Sequence, residues 1–241
     1  MLTTVDCLPW TQNVPTTSLG DLLSGQAFSN NTPLNKESQR WFVPLTNLDE
    51  HLDACVDLIT EAEKIRMERF RHEGARVQFL VGHAVIHLLL KQYLGNEYQS
   101  IRWMESEHHK PFIQLENGSK PLEYNLSHCK GFIAVAVGHR SQGIDIEQNR
   151  HLKDLEGISR QVFTEEEIAQ VFDTTDPEKQ NQTFFKFWTC KEAALKAHGT
   201  GFMKDPKTLQ LHFPSELKEA NNAVVWSDSI PGYSTAWTEA D

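Results

Sequence analysis

Apolar residues along this chain recur every three to four positions in some stretches and every second position in others, which separates helices from strands. Helical spacing holds from Thr60 to about His72 and again from about Ala75 to Leu94. In the second run Leu80, Val81, Ala84, Val85, Leu88 and Leu89 form an apolar side, and Gly95 supplies a C-terminal stop. Thr60-Glu61-Ala62-Glu63 has the form of a capping box, in which the Thr side chain and the Glu three residues on satisfy each other's backbone N–H groups. A helix over about Leu152 to Val162 leads into Thr164-Glu165-Glu166-Glu167, a second box of the same form. After a break at Asp173 to Pro177 comes the longest helix, ending near His198 before Gly199 and Gly201. Its densest part runs from Phe184 to Phe202. At about 100° per residue, Phe187, Cys190, Ala194 and Ala197 share one side, which can approach another element closely; Phe185, Thr189, Glu192 and Lys196 share the other.

Period-two alternation predicts strands over Trp41 to Leu45, Ser100 to Met104, Phe112 to Gln114, Tyr124 to Ser127, Phe132 to Val137 and Gly143 to Glu147. Three more are expected over Leu209 to Phe213, Ala223 to Trp226 and Tyr233 to Trp237. Pro44 places the first at a sheet edge or ends it early. Residues 139–142 are expected to join Phe132–Val137 and Gly143–Glu147 as a hairpin. Residues 1–40, rich in Thr, Ser, Asn, Gln and Pro, read as an irregular lead-in. The two successive blocks, 41–142 and 143–241, predict an α+β fold of two similar lobes related by a pseudo-twofold, each a small antiparallel sheet packed with helices.

Length and composition add exclusions. The 241 residues suffice for one large domain or two small ones. Lys and Arg total 23 against 33 Asp and Glu, a net charge of −10, so the overall field repels nucleic acid and anionic lipid, and neither is expected as a partner. No apolar run approaches the ~18 residues of a membrane span, and the first residues lack a basic and then apolar leader. Cys7, Cys55, Cys129 and Cys190 show neither disulfide nor metal-ligand spacing. A reduced, cytoplasmic monomer is expected.

Candidate chemistry gathers at a few places. Asp145 and Glu147, two apart in a strand, share a face while Ile144 and Ile146 bury the other. Like charges about 7 Å apart repel unless a cation lies between them; Mg²⁺ suits, because it takes one or two carboxylates plus phosphates and waters. A third carboxylate is wanted, and Glu192 offers one, with Lys196 a turn further on. Alone, that pair could be an ordinary surface ion pair, as Asp145 and Glu147 could be an exposed strand end. Ser127-His128-Cys129 does not make a nucleophile, since neighbours in extended chain point apart and no Gly-x-Ser-x-Gly elbow exists; a phosphate-binding Ser/His pair and plain structure stay open. Lys110-Pro111, after His108-His109, puts a cation on a stiff loop. Arg66, Arg69, Arg71 and Arg76 form either a solvated charge run or a phosphate patch.

The order of these motifs is more specific than any one of them. Lys110-Pro111, Asn125-Leu126-Ser127-His128, Gly143-Ile144-Asp145-Ile146-Glu147, Phe163-Thr164-x-x-Glu167 and Trp188-x-x-Lys191-Glu192-x-x-x-Lys196 together resemble the Sfp-like 4′-phosphopantetheinyl transferases from about Glu61 to Phe202. The resemblance implies that two lobes hold coenzyme A in the cleft between them. It implies Mg²⁺ on Asp145, Glu147 and Glu192, bridging the pyrophosphate. Glu192 and Lys196 become the catalytic pair, Lys191 is structural or peripheral, and Lys110, Pro111, Ser127 and His128 hold the phosphates of coenzyme A, with Arg76 as a further contact. A serine of an apo acyl or peptidyl carrier protein would attack the β-phosphate and release 3′,5′-ADP. An inactive carrier-binding module and a metal-dependent pyrophosphate phosphodiesterase are the alternatives. Gln78, His83 and His87 stand where the family often has basic residues, and Cys129 where it often has Ser or Thr.

Overall fold

A computed structural model describes residues 2–28, 38–107, 110–199, 205–214 and 222–240. His108, His109, Gly201 and Phe202 lie outside the described residues. Among those described are seven α-helices and three sheets. The chain divides into two compact units, one of residues 15–106 and 111–140, the other of residues 1–14, 107–110 and 141–241.

In the N-terminal unit, three antiparallel strands stand in the order β2 (Gln39–Pro44), β6 (Phe132–Gly138), β5 (Glu123–Cys129). Strand β2 takes the edge position that Pro44 demands, and Gly131, with φ 100°, makes the tight β5–β6 turn. A separate two-stranded hairpin pairs β3 (Arg102–Glu105) with β4 (Pro111–Gln114). Helix α4 (Glu73–Leu94) is the core element, flanked by α1 (Leu19–Ser24), α2 (Leu52–Leu58) and α3 (Glu61–Met67). Val81, Ala84, Val85, Leu89 and Leu90 of α4 are fully buried against Val43, Ile133 and Val135. By length and composition α4 could cross a membrane, but more than half of that stretch is buried in its own unit, as in a core helix.

The C-terminal unit holds a five-stranded sheet in the order β7 (Ser141–Gln148), β10 (Tyr233–Ala240), β9 (Val224–Ser227), β1 (Thr3–Pro9), β8 (Leu209–His212). Helix α7 (Pro177–Ala197) packs on it, with α5 (Leu155–Val162) and α6 (Glu165–Val171) alongside. Asp176 caps α7, accepting from the backbone N–H groups of Glu178 and Lys179; Pro177 sits in the first turn, and Gly199, φ 72°, ends the helix.

Three expectations are corrected. The lead-in is not wholly irregular, because Thr3–Pro9 forms β1, whose Cys7 is buried, and Leu19–Ser24 forms α1 with a Ser18 cap. The C-terminal sheet is mixed rather than antiparallel, since β1 runs parallel to both β8 and β9. Lastly, β6 and β7 are not a hairpin. Both edges of β6 are occupied, by β2 and β5, so β7 forms its ladder with β10 instead.

Candidate functional site

The site begins with a missing side chain. A Cβ on Gly143 would lie 1.9 Å from the carbonyl oxygen of Ala193 and 2.7 Å from the amide nitrogen of Ala197. Strand β7 therefore crosses α7 at backbone contact, which the buried Cys190, Ala193, Ala194 and Ala197 also permit. Residues two apart on a strand share a face, so Asp145 and Glu147 lie on the Gly143 side, toward α7. Ile144 and Ile146 are fully buried on the other side.

From α7, Lys196 places its ammonium 2.6 Å from Asp145 Oδ1, 3.3 Å from the carbonyl of Ile144 and 4.0 Å from Glu192 Oε2. Asp145 is buried, whereas Glu147 and Glu192 are partly accessible. Burial raises Glu147 to about 7, with repulsion from Asp145 adding to it and Arg150, Lys196 and a hydrogen bond from the Trp188 indole opposing it. Burial likewise raises Glu192 to about 7, with Lys196 opposing and the charges of Asp145 and Glu147 adding. Burial works against a charged Lys196, but Asp145, Glu192 and Glu147 outweigh it and its pKa is raised. Three carboxylates, against the Lys196 ammonium and the Arg150 guanidinium acting on Glu147, leave an excess of negative charge when all are ionised.

Glu167 and Lys191, both part of the family-like motifs, do a different job. Glu167 closes the α6 capping box by accepting from the N–H of Thr164 at 2.9 Å, and its other oxygen accepts from the N–H of Leu211 at 2.8 Å. Lys191, 1% exposed, donates to Glu167 at 2.8 Å and to the carbonyls of Pro206 and Leu209 at 2.9 and 2.6 Å. All three ammonium protons thus find acceptors inside the protein. The pair fastens α6, α7 and β8 together.

The remaining predicted residues are dispersed. Lys110 is in the C-terminal unit, donating to Ser141 Oγ at 2.8 Å, to the carbonyl of Gln142 at 3.1 Å and to that of Ala197 at 3.5 Å, where the α7 C-terminus favours a cation. Pro111 opens β4, exposed; Ser127 is buried in β5 and His128 exposed beside it. Arg76, exposed in the first turn of α4, donates to the carbonyl of Phe70 at 3.3 Å. These four belong to the N-terminal unit. There too, Gln78 donates to the carbonyl of Cys129 at 2.9 Å, and His83 stacks on Phe79. Sequence reasoning missed Arg150 and the Trp188 indole as partners of Glu147. A basic residue three places beyond the acidic pair was the available signal for the first.

Residues 141–235 match the family described as the 4′-phosphopantetheinyl transferase superfamily, and residues 46–140 match that described as 4′-phosphopantetheinyl transferase, N-terminal. The chain is 31% identical over 199 residues to the 4′-phosphopantetheinyl transferase HetI of Nostoc sp., an alignment spanning 82% of this chain and 84% of the relative. The chain belongs to the 4′-phosphopantetheinyl transferase superfamily. This phosphopantetheinyl transferase is also 30% identical over 162 residues to gsp of Aneurinibacillus migulanus, covering 66% of this chain and 65% of that one. It is 24% identical over 165 residues to Sfp of Bacillus subtilis, covering 68% and 71%. It is therefore a transferase that takes phosphopantetheine from coenzyme A to carrier proteins.

Proposed function

We propose that this transferase works with Mg²⁺ held by Asp145, Glu147 and Glu192, and that 3′,5′-ADP is the leaving group. The observation that supports this is the meeting of three carboxylates and Lys196 at the β7–α7 crossing. The donor set is hard oxygen only. Among the described residues no three acidic, His or Cys side chains stand close enough together to hold a metal ion by themselves. Mg²⁺ would therefore need substrate phosphates and waters for its other ligands, as it commonly does, and its +2 charge would offset the excess of carboxylates. Asp145, Glu147 and Glu192 would hold the ion, and the chemistry it would supply there is withdrawal of charge from the pyrophosphate, which would ease departure of the leaving oxygen.

The carrier serine Oγ forms a bond to the β-phosphorus while the bond to the oxygen bridging to the α-phosphate breaks. The serine proton goes to Glu192, directly or through water, a carboxylate that faces the reacting group in this reading. Lys196 orients Asp145 and supplies positive charge to phosphate oxygens, a positioning and electrostatic role common to phosphoryl transfer. In the same reading Lys110, Pro111, Ser127, His128 and Arg76 contact coenzyme A, two similar lobes flank it in a cleft, and the enzyme acts as a cytoplasmic monomer. Family resemblance supports these assignments. A repeated device supports the similarity of the lobes: each unit has a capping-box Glu bonded to a cation-forming residue of its long helix.

Purified protein incubated with Mg²⁺, coenzyme A and an apo carrier tests the reading by mass spectrometry of the carrier. A gain of one phosphopantetheine that EDTA abolishes and Mg²⁺ restores is expected. Transfer that proceeds undiminished in EDTA overturns the metal assignment. Binding without modification would indicate a docking module, and cleavage of coenzyme A without a carrier a phosphodiesterase.

A further inference from the structure

The C-terminal unit contains a cavity of about 650 Å³ that none of the proposed metal ligands, catalytic residues or coenzyme A contacts lines. One wall is the first half of α7, including Asn181 and Lys186; another is Trp226 to Asp228 with Ser234 and Thr235; Asn149, Arg150 and His151 complete it beyond β7. In the β7–β10 ladder Ser234 stands opposite Glu147, so the cavity adjoins the carboxylates on the α7 side of the sheet. Its volume suits a small organic molecule rather than one ion.

The charges in its wall are unevenly answered. Glu178 and Asp228 are exposed, as are Arg150 and His151. Lys186 is drawn inward, with its ammonium 3.7 Å from the centre of the Trp226 ring and 4.2 Å from that of Phe213. Among the described residues no carboxylate lies within ion-pair distance of it. Burial lowers its pKa, opposed in turn by Cys190, Cys7 and Asp228. The indole Nε1 of Trp226, in the same wall, is buried with no hydrogen-bond partner among the described residues. By contrast Ser227, Ser234, Thr235 and Asn181 are all hydrogen-bonded within the protein. An ammonium with no carboxylate partner, in one wall with an exposed guanidinium, calls for an anion.

We propose that this cavity binds a small organic anion, a carboxylate or a phosphate on an apolar body, with Lys186 and Arg150 meeting the charge beside the Trp226 ring. The site stands apart from the magnesium reading and survives if that reading fails. Benzoate and phenyl phosphate, titrated into magnesium-free protein, are suitable probes. The readout is the indole N–H resonance of Trp226, assigned by its loss in Trp226→Phe. A saturable shift is expected with at least one probe, and the stronger responder identifies the head group. Lys186→Met keeps the stem over the ring and should weaken binding about tenfold or more. Arg150→Ala changes an exposed side chain and should weaken it by a smaller factor, which keeps the test available if Lys186→Met does not fold. No saturable shift from either probe overturns the proposal. So does an unaltered affinity in the variants that fold.

Discussion

Helices α4 and α7 are the long core helices of their units, and each carries a buried base that reaches back to a capping-box glutamate. In the N-terminal unit Glu63, paired with Thr60, accepts from His87 at 2.8 Å, and the other ring nitrogen of His87 meets the Tyr98 hydroxyl at 2.5 Å. In the C-terminal unit Glu167, paired with Thr164, accepts from Lys191. Counting forward from these anchors, one and five residues on, α4 has Leu88 and Gln92 where α7 has Glu192 and Lys196. Leu88 packs in the core and Gln92 is exposed. The same tie that fixes a helix by its capping glutamate thus serves stability alone in one unit. In the other it also fixes the register of Glu192 and Lys196, the two side chains proposed to act in catalysis.

Removing the chemistry gives the largest expected effect. Asp145→Ala and Glu192→Ala should each lower carrier modification by about a hundredfold or more while circular dichroism stays native, since a metal-held charge is worth several kcal/mol in the transition state. Full activity in either would remove that residue from the site. Gly143→Ala comes next. Its methyl group cannot coexist with the Ala193 carbonyl, so α7 must withdraw from β7, at upwards of about 2 kcal/mol of stability and with loss of transfer. Urea unfolding and the carrier assay measure both, and a neutral result would contradict the close crossing.

The two ties should then break unequally. Glu167→Ala strands a buried ammonium and should cost about 3–5 kcal/mol. Glu63→Ala removes one hydrogen-bond partner of the buried His87 ring and should cost about 1–3 kcal/mol. Equal urea midpoints for the two variants would erase the distinction. The smallest effect is in acid. Burial raises the Glu63 pKa, but hydrogen bonding and charge from His87, with Thr60 assisting, outweigh it and lower the value from 4.5 to about 2. The folded state therefore holds the Glu63 proton less tightly than the unfolded chain. Its contribution is fully present above about pH 4.5 and fades as pH falls toward 2. The stability gap between wild type and Glu63→Gln should narrow over that window; a gap that widens there would contradict the pairing.

Both capping boxes, the core side of α4 and the shared face of Asp145 and Glu147 were legible in the sequence because each depends on spacing within a few residues. The small-residue side of α7 was legible too, and the structure shows its use as the seat of β7. What was illegible depends on distant partners. Thr3–Pro9 gains its strand from β8 and β9, about two hundred residues away, and nothing local announces parallel pairing. The false hairpin arose because adjacent strands usually pair, while here the flanks of β6 were already taken. Lys191 shares a motif with Glu192, yet only burial and its three acceptors mark it as a structural lysine.

Manganese binding followed by electron paramagnetic resonance, with coenzyme A present, tests most directly whether the β7–α7 crossing is a metal site. One ion per chain, released by Mg²⁺ and lost in both Asp145→Asn and Glu192→Gln, is the predicted result. An ion bound equally well by those variants, or none bound by the wild type, would contradict it.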